Sequence, residues 1–351
     1  MSIARLVCSA LICAWMALPP LAAADATDAM RPLFAAHRTL AVRIEVPLRD
    51  VMQQRDDEEY RDGTFTYTDA GTQHTLDLKL RARGHYRRQD DVCRFAPLRL
   101  NFRKSQLDGT LFAGQDKLKL VTHCQSSRSV YEQYLLKEYL SYRILELLTD
   151  ASFRVRLLRV QWVDSERPED VLERYAFLIE DDDHLAERLG SRVAEIPYTG
   201  AATLVPQQSA LVAVFEYLIG NTDFSLLRGP AEDTCCHNAV LIEQAGGRYL
   251  PVPYDFDFSG LVSTPYAKPS PKMSIRNVRT RLYRGHCEVN DQLPQVLQVI
   301  RERRHDIAEL IATQDGLSSS MRKRAALYID DFFKAISSPS RVERNLVKRC
   351  I

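Results

Sequence analysis

The chain has 351 residues, with 47 Lys and Arg against 46 Asp and Glu and a formal net charge of +1 at pH 7. So even a balance argues against a general nucleic-acid binder and against an acidic interaction tail, and no nucleic-acid partner is expected. No internal repeat or low-complexity linker breaks the sequence, so it reads as one large domain or two tightly joined lobes.

Arg5 precedes an apolar run from Leu6 to Leu18, a Pro19-Pro20 break follows, and Ala22 and Ala24 stand as A-x-A. A basic head, an apolar middle and a small-residue exit make a secretory signal over residues 1–24, which implies an exported protein, periplasmic or secreted. The apolar run is shorter than the ~20 residues a spanning helix needs. No second segment qualifies, so no membrane span is expected after cleavage.

Ala41–Val46, Thr64–Thr68 and Thr75–Arg83 alternate apolar and polar residues and read as strands, with further strands over Leu98–Phe102 and Lys117–Val121. Arg128–Leu148 has no Gly or Pro and carries apolar residues on more than one face, which predicts a long helix buried between layers. Strands follow at Phe153–Val163 and Glu173–Ile179. Gln207–Ile219 is a second apolar helix ended by Gly220 as a C-terminal cap would end it. Ala239–Glu243 and Arg248–Val252 form a hairpin around Gly246-Gly247, and Gln292–Ile311 and Leu317–Ile336 are helical in period. The class is therefore α+β, with a strand-rich N-terminal lobe over residues 25–180 and a helix-rich C-terminal lobe over 181–351. That order is the order of two-lobed, protein-kinase-like folds.

Of eight cysteines, Cys8 and Cys13 lie in the signal, leaving Cys93, Cys124, Cys235, Cys236, Cys287 and Cys350. An even set in an oxidising compartment suggests disulfides, and about 15 pairings are open to six cysteines. Cys93 with Cys124 is the first expectation. Cys235-Cys236-His237 has no second pair at ligand spacing, so staples are expected in preference to zinc. Between Lys79 and Lys104 stand nine basic residues against only Asp90 and Asp91, which is either a solvated strand face with a loop or a site for phosphate or another anion.

The chemistry-bearing stretch is Gly220-Asn221-Thr222-Asp223, then Cys236-His237-Asn238-Ala239, then Tyr254-Asp255-Phe256-Asp257-Phe258. An Asp in a loop after a helix, an Asn opening a hydrophobic strand and an acidic pair after the next strand is the order that kinase-type phosphoryl transfer requires. The loop Asp orients an acceptor hydroxyl, and the Asn and later Asp hold Mg²⁺, a hard ion that prefers oxygen. In an extended segment Asp255 and Asp257 would share one side and Phe256 and Phe258 the other. Two carboxylates so placed repel unless a cation lies between them or one takes a proton; otherwise they form a solvated strand edge or a structural calcium site.

Over about Leu80 to Gly260 the chain resembles the CotH family, the spore-coat-protein-H-like atypical kinases. The likeness rests on Arg83-Gly84 and the basic stretch after it, Lys117-Leu118-Lys119-Leu120, the helix after Tyr131-Glu132, Ile179-Glu180-Asp181, and the Asp223, Asn238, Asp255 order. It implies ATP or another nucleotide as co-substrate with Mg²⁺ or Mn²⁺, Asp223 as the catalytic residue, and Asn238 and Asp255 as metal ligands with Asp257 close by. Lys119, with Glu132 as its helix partner and Glu138 in reserve, and Arg83 are the nucleotide-binding candidates. The chain departs from the family in lacking a glycine-rich loop, in its long Asp223–Asn238 interval, and in Tyr-Asp-Phe-Asp where better-known members have Trp-Asp. Two functions follow as expectations: an exported kinase that phosphorylates a protein or small-molecule hydroxyl, or an inactive kinase-like scaffold of the cell envelope.

Overall fold

The structure, a computed structural model, describes residues 31–56, 58–230 and 234–351. The expected signal segment, residues 1–24, lies outside the described residues. The class is mixed α and β: a seven-stranded closed barrel, a separate two-stranded sheet and, among the described residues, eight α-helices.

The barrel strands are β1 (Leu40–Val46), β2 (Arg61–Asp69), β3 (Thr72–Ala82), β4 (Leu98–Phe102), β5 (Lys117–Val121), β6 (Val155–Asp164) and β7 (Arg167–Ile179). They pair in the order β1-β2-β3-β4-β5-β7-β6, and a parallel β6–β1 pairing closes the ring. Alternation decides what points inward. In β3, Leu76, Leu78 and Leu80 are buried while their neighbours are not, and β4 and β5 continue the layer with Leu98, Leu100, Leu118 and Leu120. Trp162, Phe65, Phe102 and Phe112 fill the middle. Closure was not legible in the alternation, because any half-buried strand gives the same pattern.

A second core lies among the helices: α1 (Leu48–Gln54), α2 (Val130–Leu148), α3 (Asp182–Arg188), α4 (Pro206–Ile219), α5 (Leu293–Glu302), α6 (Arg304–Thr313), α7 (Ser319–Ala335) and α8 (Pro339–Asn345). α2 is buried on several faces, as its sequence implies, because it is held between the outer face of β6–β7 and the C-terminal helices. Every residue of α4 from Gln208 to Ile219 is buried. Gly220 ends α4 at φ 69°, where a Cβ would run into the Tyr328 hydroxyl. The run predicted over 292–311 is two helices that break at Arg303.

Strands β8 (Ala239–Gln244) and β9 (Arg248–Pro253) form the expected hairpin. Disulfides join Cys93 to Cys124, Cys235 to Cys236 and Cys287 to Cys350. Among the described residues no helix is long and apolar enough to cross a membrane.

Candidate active site

Three short stretches meet beside the middle of α2: the loop after α4, the start of β8 and the turn after β9. The first is held from behind. Arg284 Nη1 donates to the carbonyls of Thr222 at 2.7 Å and Phe224 at 2.5 Å, on either side of Asp223, and its guanidinium lies over the Phe224 ring. The Asp223 N–H donates to Asn221 Oδ1 at 3.0 Å. Below lies Glu216 of α4, 1% exposed, whose carboxyl is pushed up to about 8 by burial, with Asn221 and Arg284 opposing.

The long interval between Asp223 and Asn238 does not separate them. The chain makes an excursion and returns: Ser225 and His237 form a two-way backbone bridge, and Cys235 and Cys236 pack against Leu226. Asn238 Nδ2 then donates to the Asp223 backbone carbonyl at 2.7 Å and to Asp223 Oδ2 at 3.2 Å. His237 Nε2 lies 3.0 Å from Asp223 Oδ1. That hydrogen bond, then the charges of Asp223 and Asp255, raise the His237 pKa above the usual imidazole range although burial opposes them.

After β9 the chain does not stay extended. Asp255 sits at φ 63°, so strict alternation is not what orients the two carboxylates. Its N–H donates to the Tyr142 hydroxyl of α2 at 2.8 Å, while its carboxylate accepts no hydrogen bond among the described residues. Asp257 is 4% exposed and accepts the Tyr266 hydroxyl on Oδ2 at 2.9 Å. Burial, then the Asp255 charge, push the Asp257 carboxyl up to about 8, with Arg87 opposing. Phe256 is fully buried, and Phe258 packs instead against Tyr86 and Tyr266.

The expected Lys119–Glu132 pair is not formed. Lys119 Nζ binds the Asp182 carboxylate at 2.7 and 3.0 Å. Glu132 accepts the Tyr175 N–H at 2.9 Å and faces Arg174 at 3.6 Å, so it ties α2 to β7. A six-residue step along α2 explains the correction, since Glu138 rather than Glu132 faces the carboxylates. Arg87 Nη1 is 3.5 Å from Glu138 and 4.0 Å from Asp257, with all three side chains nearly buried. Burial holds the Glu138 carboxyl well above its ordinary range, and Asp257 and Asp255 add to this while Arg87 opposes. Arg87 itself, although buried, is held charged by Tyr266, Glu138, Asp257 and Asp255. Burial lowers the pKa of the Arg83 guanidinium, just past β3, while the charges of Asp255 and Tyr142 oppose it.

The structure thus gathers Asp223, Asn238, Asp255, Asp257 and Arg83, and leaves Glu132 apart. Sequence reasoning missed Arg87, His237, Tyr266 and Arg284. Arg87 was visible only as one of nine cations in the basic stretch, and His237 only as a neighbour of two cysteines. The donors fit a hard cation: the Asp255 carboxylate, Asn238 Oδ1 and Asp257 Oδ1 are all oxygens left without a hydrogen bond. Among the described residues no group of three or more His, Cys, Asp or Glu forms a metal cage. No family model, no curated protein and no solved structure matches the chain.

Proposed function

We propose that this protein is an exported, kinase-like phosphotransferase of two lobes, similar to the CotH family, which moves a phosphoryl group from a nucleotide to a hydroxyl of a protein or small molecule. The observation that carries the reading is the contact of Asp223 with Asn238 beside Asp255, made by three segments far apart in the chain. Asn238, Asp255 and Asp257 would hold Mg²⁺ or Mn²⁺, which supplies charge neutralisation on the phosphates. Arg83 contributes cationic charge at the polyphosphate, and the Arg87–Glu138 pair fixes the wall behind Asp257. Asp223 orients the acceptor hydroxyl and takes its proton as the oxygen bonds to the γ-phosphorus and the bond to the β-phosphate oxygen breaks. The nucleoside diphosphate leaves with that electron pair.

Incubation of the purified protein with γ-labelled ATP and Mg²⁺ or Mn²⁺ tests this. Label should pass to acceptor or to the chain itself, and Asp223→Ala and Asp255→Ala should each abolish it. Transfer that survives both substitutions would refute the assignment. Transfer from α-labelled and not γ-labelled ATP would mean nucleotidyl transfer at the same residues.

One observation favours an inactive, scaffold-like second reading: His237 and Asn238 already occupy both Asp223 carboxylate oxygens. Under that reading no nucleotide and metal combination raises the unfolding midpoint, because nothing binds the folded form preferentially.

A further inference from the structure

From Tyr254 to His286 the chain forms no helix or strand, yet it is fastened at both ends to the candidate site. At the near end the Thr264 hydroxyl donates to the Asp257 carbonyl at 3.1 Å and the Tyr266 hydroxyl to the Asp257 carboxylate at 2.9 Å, while Lys137 of α2 donates to the carbonyls of Leu261 and Val262. At the far end Arg281 donates to the carbonyls of Tyr217 and Leu218 in the last turn of α4, and Arg284 holds the loop that carries Asp223. Residues 267–280 therefore form a span that leaves the site at Asp257 and returns behind Asp223.

The charge of this stretch is one-sided. Between Phe258 and His286 stand Lys268, Lys272, Arg276, Arg279, Arg281 and Arg284, with no Asp or Glu among them. Arg281 and Arg284 are turned inward onto carbonyls. Lys268, Lys272, Arg276 and Arg279 are exposed, and none pairs with a carboxylate among the described residues. In a chain with 46 acidic residues against 47 basic ones, so unbalanced a run is a local field and not an effect of composition. The field reaches inward: burial, then the charges of Arg279 and Arg324, lower the Lys137 pKa to about 7. The apolar residues of the span argue against a lipid surface, since Met273, Ile275 and Leu282 are half-buried and Val278 is buried, which leaves no large apolar side chain to enter a bilayer. The exposed aromatic at this edge is Tyr86, 42% exposed, whose ring centre lies 5.4 Å from that of Phe258 and 6.0 Å from that of Tyr266.

Resting on the phosphotransfer reading, we propose that the 267–280 span is the docking surface for the acceptor, and that the acceptor is an acidic protein segment in which Asp and Glu flank a Ser or Thr. Exposed cations set three or four residues apart along an irregular segment match a run of carboxylates better than one compact anion, and they repel a basic acceptor. Because the span begins at Asp257 and ends behind Asp223, a segment held along it lies next to the carboxylates that receive its hydroxyl.

Two measurements on the full chain test this. Fluorescence anisotropy reads docking of a labelled Ser peptide flanked by Glu, of its Gln counterpart, and of phosphatidylglycerol vesicles as competitor; γ-labelled ATP with Mg²⁺ reads transfer to the same peptides. The Glu peptide should bind at least about tenfold tighter than the Gln peptide at low salt, the preference should shrink in about 0.5 M salt, and kcat/KM should follow through KM. Lys272→Glu with Arg276→Glu should cut the preference at least about fivefold, and Lys272→Gln with Arg276→Gln should cut it by less. Both pairs change exposed side chains outside any helix or strand, and an unchanged thermal midpoint checks that the variants are folded. Two peptides bound and labelled alike, or a preference that survives charge reversal, overturns the docking surface and leaves the phosphotransfer reading standing. Vesicles bound in place of the Glu peptide overturn the acidic-protein acceptor. A Glu peptide that binds with the stated salt dependence and is never labelled supports the surface and overturns the phosphotransfer reading, and the absence of both binding and labelling overturns the two together.

Discussion

Asp257→Asn removes a charge from the site and leaves its shape. The Asp257 side chain is 6% exposed, with Tyr266 on one oxygen and Arg87 4.0 Å away. Its carboxyl stands at about 8 because burial and then Asp255 outweigh Arg87. An unfolded Asp titrates near ~3.9, so the native state holds this proton more tightly than the unfolded state does. The sign follows: the contribution is complete below pH ~4 and is lost as pH rises toward about 8. Roughly four pH units at ~1.4 kcal/mol each set an upper limit of about 6 kcal/mol. Glu138 draws on the same Arg87, so about 2–3 kcal/mol is the expected share. Guanidinium unfolding at pH 5 and pH 8 without divalent ions reads it. Wild type should lose about 2–3 kcal/mol over that span. Asp257→Asn should lose less than half as much and be the more stable protein at pH 8. Mg²⁺ at pH 8 should stabilise wild type more than the variant. An identical pH slope in the two proteins would refute the electrostatic account.

Gly220→Ala should lose at least about 2 kcal/mol in chemical unfolding, because a left-handed Ala meets Tyr328, and adding Tyr328→Phe should restore part of it. Replacing Cys93 and Cys124 by Ser opens a bridge spanning 31 residues and should lower stability by about 3 kcal/mol, while an unchanged midpoint would mean the bridge does not form. Glu132→Gln should leave label transfer intact, since Gln still accepts the Tyr175 N–H, whereas Glu138→Gln should reduce it at least about tenfold by freeing Arg87. Equal effects of the two would place the helix carboxylate elsewhere.

Local signals located the elements and the C-terminal half of the site. Gly220 is legible because only a left-handed cap asks for glycine there, and the β8–β9 hairpin because two glycines separate alternating runs. Those elements set where Asp223, Asn238 and Asp255 fall, and the three stretches that carry them meet. The Lys119–Glu132 expectation failed because it depends on helix rotation. Glu132 and Glu138 lie six residues apart, about 600° around α2, so their directions differ by about 120°. Only the packing of α2 against β7 decides which of them turns to the carboxylates. Barrel closure and the Ser225–His237 bridge are long-range pairings that alternation cannot encode.

The charge inventory of the site joins these findings. Asp255, Asp257 and Glu138 face Arg83 and Arg87 near the turn after β9, and both Asp257 and Glu138 are displaced upward, toward holding protons, despite their arginine. Burial is the largest cause at both, and the arginines only partly offset it. A structural ion-pair cluster would be expected to close this difference, since an uncompensated buried charge is costly. At the Asp223 end Arg284 and His237 face Asp223 and Glu216, and the Glu216 carboxyl is likewise raised. Asp257, Glu138 and Glu216 are thus all raised toward their neutral forms around the Asp255 carboxylate, which accepts no hydrogen bond among the described residues. A divalent cation at that carboxylate would draw the neighbouring carboxyls back toward their ionised forms, which a neutral ligand would not do.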